Sequence, residues 1–256
     1  MFAMPTVFVT GGGGIIGPGL IHTFAEAGYD VAASYSRSKD RTQAALDKAS
    51  EAFGVRTKIV YGNNGKVEDI YAMFREVEET FGAIDVMINN AGLTFGTDFL
   101  NCTEEDFNHG VNIDFRGTFF CMQQAARNMI QYNRRGVIIN VSSNHQTVTF
   151  QNAMLYAASK AAIDRMTRSA SIELAPYGIR VVDIVPGYTE HEGFNERMQG
   201  NPDYEQVFGA IPLHKFATPS QIGKTALFLA SDGAASITGT HIYVDGGAQN
   251  VTGVPG

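Results

Sequence analysis

Two rhythms alternate along the chain. Short runs rich in β-branched residues, apolar at nearly every position, are separated by longer stretches whose apolar residues recur at helical spacing. That alternation is the pattern of parallel strands joined by crossover helices. Residues 5–10, 30–35, 56–61, 84–89, 136–142, 180–185 and 241–244 are the expected strands. Their apolar residues do not alternate with polar ones, so the sheet is expected to be buried on both faces, with helices above and below. Helices are expected over 19–27, from Glu104 toward Arg116, over 117–132 until an Asn-Arg-Arg-Gly segment ends it, and over 154–177. The stretch 187–217 breaks the rhythm. It is polar, holds Pro202 and Pro212, and starts where a strand ends, as a substrate loop or lid does. Phe194, Met198, Tyr204 and Phe208 give it apolar content. No repeat, low-complexity tract or linker divides the chain, so 1–256 reads as a single domain.

Composition narrows the partners. With 44% hydrophobic and 18% charged residues, the chain can bury a sheet between helices and is too weakly charged to stay disordered. The net charge of -7, with no block among 19 Lys and Arg, argues against a nucleic-acid partner. Cys102 and Cys121 are too few for a disulfide framework or a zinc site, which points to a reducing compartment. The first nine residues lack the positive flank and long apolar centre of a signal peptide, and no apolar run reaches bilayer length. A cytoplasmic protein with no membrane partner is expected. No cluster of His, Cys, Asp or Glu has metal-ligand spacing, so a metal-free mechanism is expected.

The first expected strand runs into Thr10-Gly11-Gly12-Gly13-Gly14-Ile15-Ile16-Gly17-Pro18 and then a helix. Glycines let backbone N–H groups approach a pyrophosphate, and the helix points its positive end at the anion. Pro18 fits a first helical turn, where its missing N–H is not needed. A doubly wound Rossmann-type α/β sheet of about seven strands is therefore expected, with a dinucleotide across its carboxyl edge. After the second strand come Ser34-Tyr35-Ser36-Arg37-Ser38-Lys39, with no carboxylate before Asp40 to grip ribose hydroxyls. Arg37 with two hydroxyls suits a 2′-phosphate, so NADP(H) is preferred and NAD(H) is the other choice. A solvated polar loop is the alternative.

Tyr156 and Lys160 stand four apart in an expected helix, on one face. A phenol with a pKa of about 10 is a poor base at neutral pH, and a nearby ammonium favours its phenolate. Ser142 and Ser143 end the fifth strand at the sheet edge where ligands of such folds bind. Either hydroxyl suits a substrate oxygen, or serves as a cap.

Together these residues resemble the short-chain dehydrogenase/reductase family over nearly the whole chain. The resemblance is carried by Asn89-Asn90-Ala91-Gly92, Asn140-Val141-Ser142-Ser143, Tyr156-Ala157-Ala158-Ser159-Lys160, Pro186-Gly187, Thr238-Gly239 and Val244-Asp245-Gly246-Gly247. Within the family, Asp85-Val86-Met87-Ile88 leading into Asn89 to Gly92, and His145, are similar to glucose 1-dehydrogenases; 3-oxoacyl-carrier-protein reductases share such runs. The resemblance implies hydride transfer between a nicotinamide cofactor and a secondary alcohol or ketone, in a sugar, hydroxy-acyl or similar small substrate. It gives the substrate-oxygen role to Ser143, thirteen residues before Tyr156, the proton to Tyr156, and support of Tyr156 and the cofactor ribose to Lys160. It places Gly11, Gly14, Ile16, Gly17, Asn63, Asn90, Ala91, Gly92, Pro186, Gly187 and Thr189 at the cofactor, and His145 at substrate hydroxyls. A homo-oligomer, tetramer or dimer, is implied too.

Four positions depart from the family pattern. Ile15 stands where a Gly or Ala is usual, Asp114 where the catalytic Asn sits, with Asn112 two residues earlier, and Asn63 where an Asp meets adenine. Thr189 and His191 share the place of a single cofactor-binding Thr. Asp114 is expected to pair with Lys160 and to support a solvent chain, or else to raise the Lys160 pKa and weaken the relay. Ile15 and Asp114 also motivate a rival reading, a non-catalytic dinucleotide-binding regulatory or redox-sensing protein.

Overall fold

Along β1 (Thr6–Val9) every side chain is buried, and successive residues face opposite layers: Val7 and Val9 join one apolar cluster, Phe8 the other. The same division holds for β2 (Asp30–Tyr35), where Val31 and Ala33 oppose Ala32, and for β4 (Val86–Asn89) and β5 (Val137–Val141). Burial on both faces is why these strands show no alternation in sequence. With β3 (Thr57–Tyr61), β6 (Arg180–Pro186) and β7 (His241–Val244) they form one seven-stranded sheet, ordered β3-β2-β1-β4-β5-β6-β7, parallel throughout. The computed structural model describes residues 4–96, 98–148, 151–191 and 208–251. All seven expected strands are present, with ends within two residues of expectation.

One layer of helices comprises α1 (Gly17–Glu26), α2 (Lys39–Phe53) and, late in the chain, a helix over Pro219–Ala230; it buries Leu20, Phe24, Leu46, Ile222 and Leu229 on the Val7 side. The other comprises α3 (Val67–Phe81), α4 (Glu104–Val111), α5 (Gly117–Gln131) and α6 (Met154–Leu174), with Ile70, Met73, Cys121 and Met129 on the Phe8 side. The Pro219–Ala230 helix, α7, crosses α1 at glycines. A Cβ on Gly223 would meet Gly19 O at 2.7 Å and Thr23 Oγ1 at 2.5 Å. Among the described residues no helix is long and apolar enough to cross a membrane.

Two expected helices need correction. The segment from Glu104 toward Arg116 is not one helix: α4, held by a Thr103/Asp106 capping box, passes into a π-helical turn over Asn112–Arg116. There the Gly117 N–H reaches back to Asn112 O, and Gly117 lies against the Asn64 carbonyl, 2.5 Å from where a Cβ would lie. The helix expected to reach residue 177 ends as an α-helix at Leu174, and Ala175–Tyr177 continue as a 3-10 turn containing Pro176, which has no N–H for the α ladder. Of the expected substrate loop, 192–207, with Phe194, Met198 and Tyr204, lie outside the described residues. Its two described ends run side by side: Glu190 N donates to Ala217 O, and Ala217 N to Tyr188 O. Phe208 packs edge-on against Phe216 at 5.4 Å.

Candidate active site

The strand order reverses at β1, between β2 and β4, and the turns leaving β1 and β4 are tied together there. The Asn90 amide donates to Thr10 O at 3.0 Å and Gly11 O at 3.1 Å, while Thr10 Oγ1 accepts from Asn90 N and Ala91 N. Gly11 has φ +68° and sits 3.0 Å from Ala91 Cα at its Cβ position, so this turn takes only glycine. Beyond it a cleft of about 480 Å³ runs along the carboxyl edge of the sheet, a volume in the range of ligand sites. Gly11, Gly14, Ile16, Arg37, Asn63, Asn90, Ala91, Gly92, Tyr156 and Lys160 all line it.

The remaining candidates lie beside or behind the cleft. Gly17 starts α1 with its α-carbon against the Gly11 and Gly12 carbonyls, leaving no room for a side chain; it packs the loop onto the helix. Pro186 ends β6, Gly187 rests on Asp245, and the Thr189 hydroxyl donates back to Gly187 O at 3.2 Å. Ile15 is 46% exposed and lines the cleft, so its side chain occupies open space rather than distorting the glycine turn, in which Gly14 N still donates to Gly11 O.

At the other end of the cleft, α6 carries Tyr156 and Lys160, both buried, with the ammonium 5.3 Å from the Tyr156 ring centre. The β5 terminus brings Ser143 into the same region. Its Oγ lies 3.1 Å from His145 Nδ1, and the His145 ring stands edge-on to Tyr156 at 5.0 Å. The His145 Nδ1 is also 3.2 Å from Asn144 Oδ1, an acceptor only. Ser143 Oγ donates to the same oxygen at 3.3 Å and accepts from the His145 N–H at 3.3 Å. Burial, helped by Lys160, holds His145 below its usual pKa, so the ring is neutral at pH 7.

Asp114 is buried from the π-helical turn beneath Lys160. Its Oδ1 lies 3.3 Å from Lys160 Nζ, and the Leu93 N–H donates to the carboxylate at 3.2 Å. The Lys160 ammonium also donates to Val141 O at 3.4 Å. Burial raises the Asp114 pKa, and Lys160 and Leu93 offset only part of that rise. Burial works against the Lys160 charge as well, but Asp114, Tyr156 and Asp183 outweigh it and the Lys160 pKa is raised. Gly92 makes the pairing possible: a Cβ there would stand 2.7 Å from Asp114 Oδ1 and 3.0 Å from Lys160 Nζ. The Asp114 carbonyl accepts the Thr118 hydroxyl at 2.6 Å.

These residues fit a dinucleotide. The first turn of α1 has no acidic residue and no capping side chain, which leaves its N-terminal charge for an anion in the glycine-lined part of the cleft. Among the described residues no Asp or Glu lines the cleft, whereas Arg37 does, between Ser36 and Ser38. Asn63 faces the cleft with its Oδ1 engaged by Gly65 N at 2.9 Å. The structure adds residues that sequence reasoning passed over. Ser34 accepts Gly11 N through its Oγ, and Leu93, Thr94 and Ile113 line the cleft. Asp183, fully buried on β6, touches Ser142; a lone carboxylate in the apolar run Arg180–Pro186 was its signal.

Comparison with known proteins agrees with this geometry. The enoyl-(acyl carrier protein) reductase family model matches residues 14–249. A 3-oxoacyl-(acyl-carrier-protein) reductase of Staphylococcus aureus is 34% identical over 245 residues, covering 94% of this chain and 97% of that one. Among solved structures, acetoin dehydrogenase from Enterobacter cloacae superposes with a TM-score of 0.89 at 26% identity, covering 100% of both chains. A variant of actinorhodin polyketide ketoreductase, solved with NADPH, gives 0.88 at 25% identity, covering 98% of this chain and 100% of that one. With its sheet order, glycine turn and Tyr156–Lys160 pair, the chain belongs to the short-chain dehydrogenase/reductase family and is one of its catalytic oxidoreductases.

Proposed function

We propose that the protein is an NADP(H)-preferring reductase that interconverts a ketone and a secondary alcohol, on a hydroxy-acyl or similarly small substrate. The observation that carries this reading is the convergence of Tyr156 and Lys160, with Ser143 and His145 packed beside them, at one end of a cleft whose other end holds Arg37 and, among the described residues, no carboxylate. Bound nicotinamide supplies or accepts the hydride. Tyr156 gives its hydroxyl proton to the carbonyl oxygen in reduction and takes it back in oxidation. The Lys160 ammonium favours the phenolate that this leaves. Ser143 orients the reacting oxygen through its hydroxyl, which the His145 N–H holds in place at 3.3 Å. Asp114 holds Lys160 charged and in place.

Gly11, Gly14, Ile16, Asn63 and Asn90 to Gly92 form the wall proposed for the dinucleotide, with Pro186, Gly187 and Thr189 at its nicotinamide end and 187–217 as the substrate-side lid. The S. aureus relative's name and the polyketide ketoreductase favour an acyl substrate. We propose a cytoplasmic homo-oligomer, tetramer or dimer; Phe119, Met154 and Ile172, exposed on α5 and α6, support the subunit contacts. The test is a fluorescence titration with NADPH and NADH, with assays on 3-oxoacyl thioesters, small diketones and sugars. NADPH is expected to bind more tightly, and Arg37→Ala to weaken it roughly 10- to 100-fold, the worth of a charge-assisted hydrogen bond, while leaving NADH unchanged. Equal weakening of both, or tighter NADH binding by the unaltered protein, contradicts the phosphate role.

A further inference from the structure

Asp183 is a titratable group that the proposed chemistry does not use. It is 0% exposed at the centre of β6, between Val182 and Ile184, and burial of a carboxyl group there is costly unless it is hydrogen-bonded. Both its oxygens are spent on one residue. The Ser142 N–H donates to Oδ1 at 3.1 Å, and Ser142 Oγ lies 2.6 Å from Oδ2. Ser142 Oγ also lies 3.0 Å from Gln146 Oε1.

A hydroxyl has one proton, so it cannot donate to both oxygens. With the Gln146 amide oxygen turned toward Ser142, the three atoms are satisfied together when Asp183 carries its own proton: Asp183 donates to Ser142 Oγ, which donates to Gln146 Oε1. Gln146 Nε2 reaches Tyr243 on β7 at 3.5 Å. The strut therefore grips the chain on both sides of Ser143-Asn144-His145, at Ser142 before it and Gln146 after it. Val141, whose carbonyl receives Lys160, is the next residue along β5.

We propose that Asp183 is a positioning residue of the active centre, acting in its protonated form through Ser142 and Gln146 to hold Ser143 and His145 toward Tyr156. This rests on the roles given above to Ser143 and Tyr156. The charged and titratable groups around Asp183 are Lys160, Asp164 and Arg168 of α6, Ser142 of β5, and His241 and Tyr243 of β7, with His241 its direct partner in register. Burial pushes the Asp183 pKa up to about 8, against the pull of Ser142 and Lys160. Below that pH the strut is intact; above it, a carboxylate that can only accept takes the Ser142 proton away from Gln146.

Asp183→Ala, Asp183→Asn and Tyr156→Phe are compared for kcat, KM, NADPH affinity and the pH dependence of kcat. Asp183→Ala is expected to lower kcat roughly 10- to 100-fold, the cost of misplacing reacting groups by about 1 Å, with NADPH affinity unchanged. Asp183→Asn, whose amide donates to Ser142 Oγ and accepts from Ser142 N, is expected to keep most of kcat at pH 7 and to lack an alkaline loss near pH 8 that the unaltered enzyme shows. If Asp183→Ala does not fold, the Asp183→Asn pH profile decides alone. Equal kcat in Asp183→Ala, or the same alkaline limb in Asp183→Asn, overturns the proposal. Full activity in Tyr156→Phe instead overturns the catalytic reading beneath it.

Discussion

Asp114 shows how one residue resets an active site. A neutral amide in its place would leave Lys160 buried without its nearest counter-charge, whereas the carboxylate at 3.3 Å holds the ammonium charged against desolvation. Asp114→Asn keeps the shape and removes the charge. The Lys160 pKa falls in that variant, so in an Asp183→Asn background, free of the Asp183 limb, the alkaline limb of kcat/KM moves to lower pH, while turnover at pH 7 persists; an unmoved limb contradicts the pairing. The pair itself was legible, because Lys160 and Asp114 were aligned by the runs around them. Its buttress was not. Gly92 reads as part of Asn-Asn-Ala-Gly, and only the fold shows that a side chain there would strike both charged groups.

Elements were legible where one period ruled. The expected bounds of β2 and β7 are those observed, since a short β-branched run has little freedom at its ends. The helices α2 and α3 were implied by the alternation alone, and their bounds were not set in advance. The π-helical turn at Asn112–Arg116 was not legible, because five residues cannot distinguish a wider helix from an α-helix. The tertiary contact of Gly117 with Asn64 at its end is visible only in the fold. The crossing of α1 and α7 is likewise a tertiary feature, resting on Gly19 and Gly223. Gly223→Val places methyl groups against Thr23 and the Gly19 carbonyl, and overpacking costs about 1–3 kcal/mol. At about 2–4 °C per kcal/mol for a chain of this size, Tm should fall by several degrees in a thermal melt. No change would mean that α7 shifts away freely.

At the scale of the molecule, a doubly wound sheet gathers into one edge residues far apart in sequence, from Gly11 to Asp245, and that gathering explains why the site had to be assembled from separate motifs. It also buries an acid in the sheet, which couples folding to pH. Asp183 has its pKa raised to about 8 in the fold, against about 3.9 for an unfolded Asp. Below about pH 4 the group is protonated in both states and costs nothing. As pH rises toward 8, the unfolded chain releases a proton that the folded one keeps, so stability contributed at low pH is lost through that window. Asp183→Asn does not titrate. The Tm of Asp183→Asn relative to the unaltered protein should therefore climb between pH 4 and 8 and level off above; a constant difference would mean that Asp183 ionises normally. The rise in the Lys160 pKa acts at far higher pH and is common to both proteins.

The catalytic claim is tested most directly by steady-state oxidation of NADPH, followed with a ketone substrate for the unaltered enzyme and for Tyr156→Phe, alongside NADPH affinity. The proton-transfer role predicts a fall in kcat of roughly 100- to 10,000-fold, the usual contribution of a positioned acid, with NADPH bound as before. Undiminished turnover in Tyr156→Phe would contradict the account and move the proton to another group in the cleft.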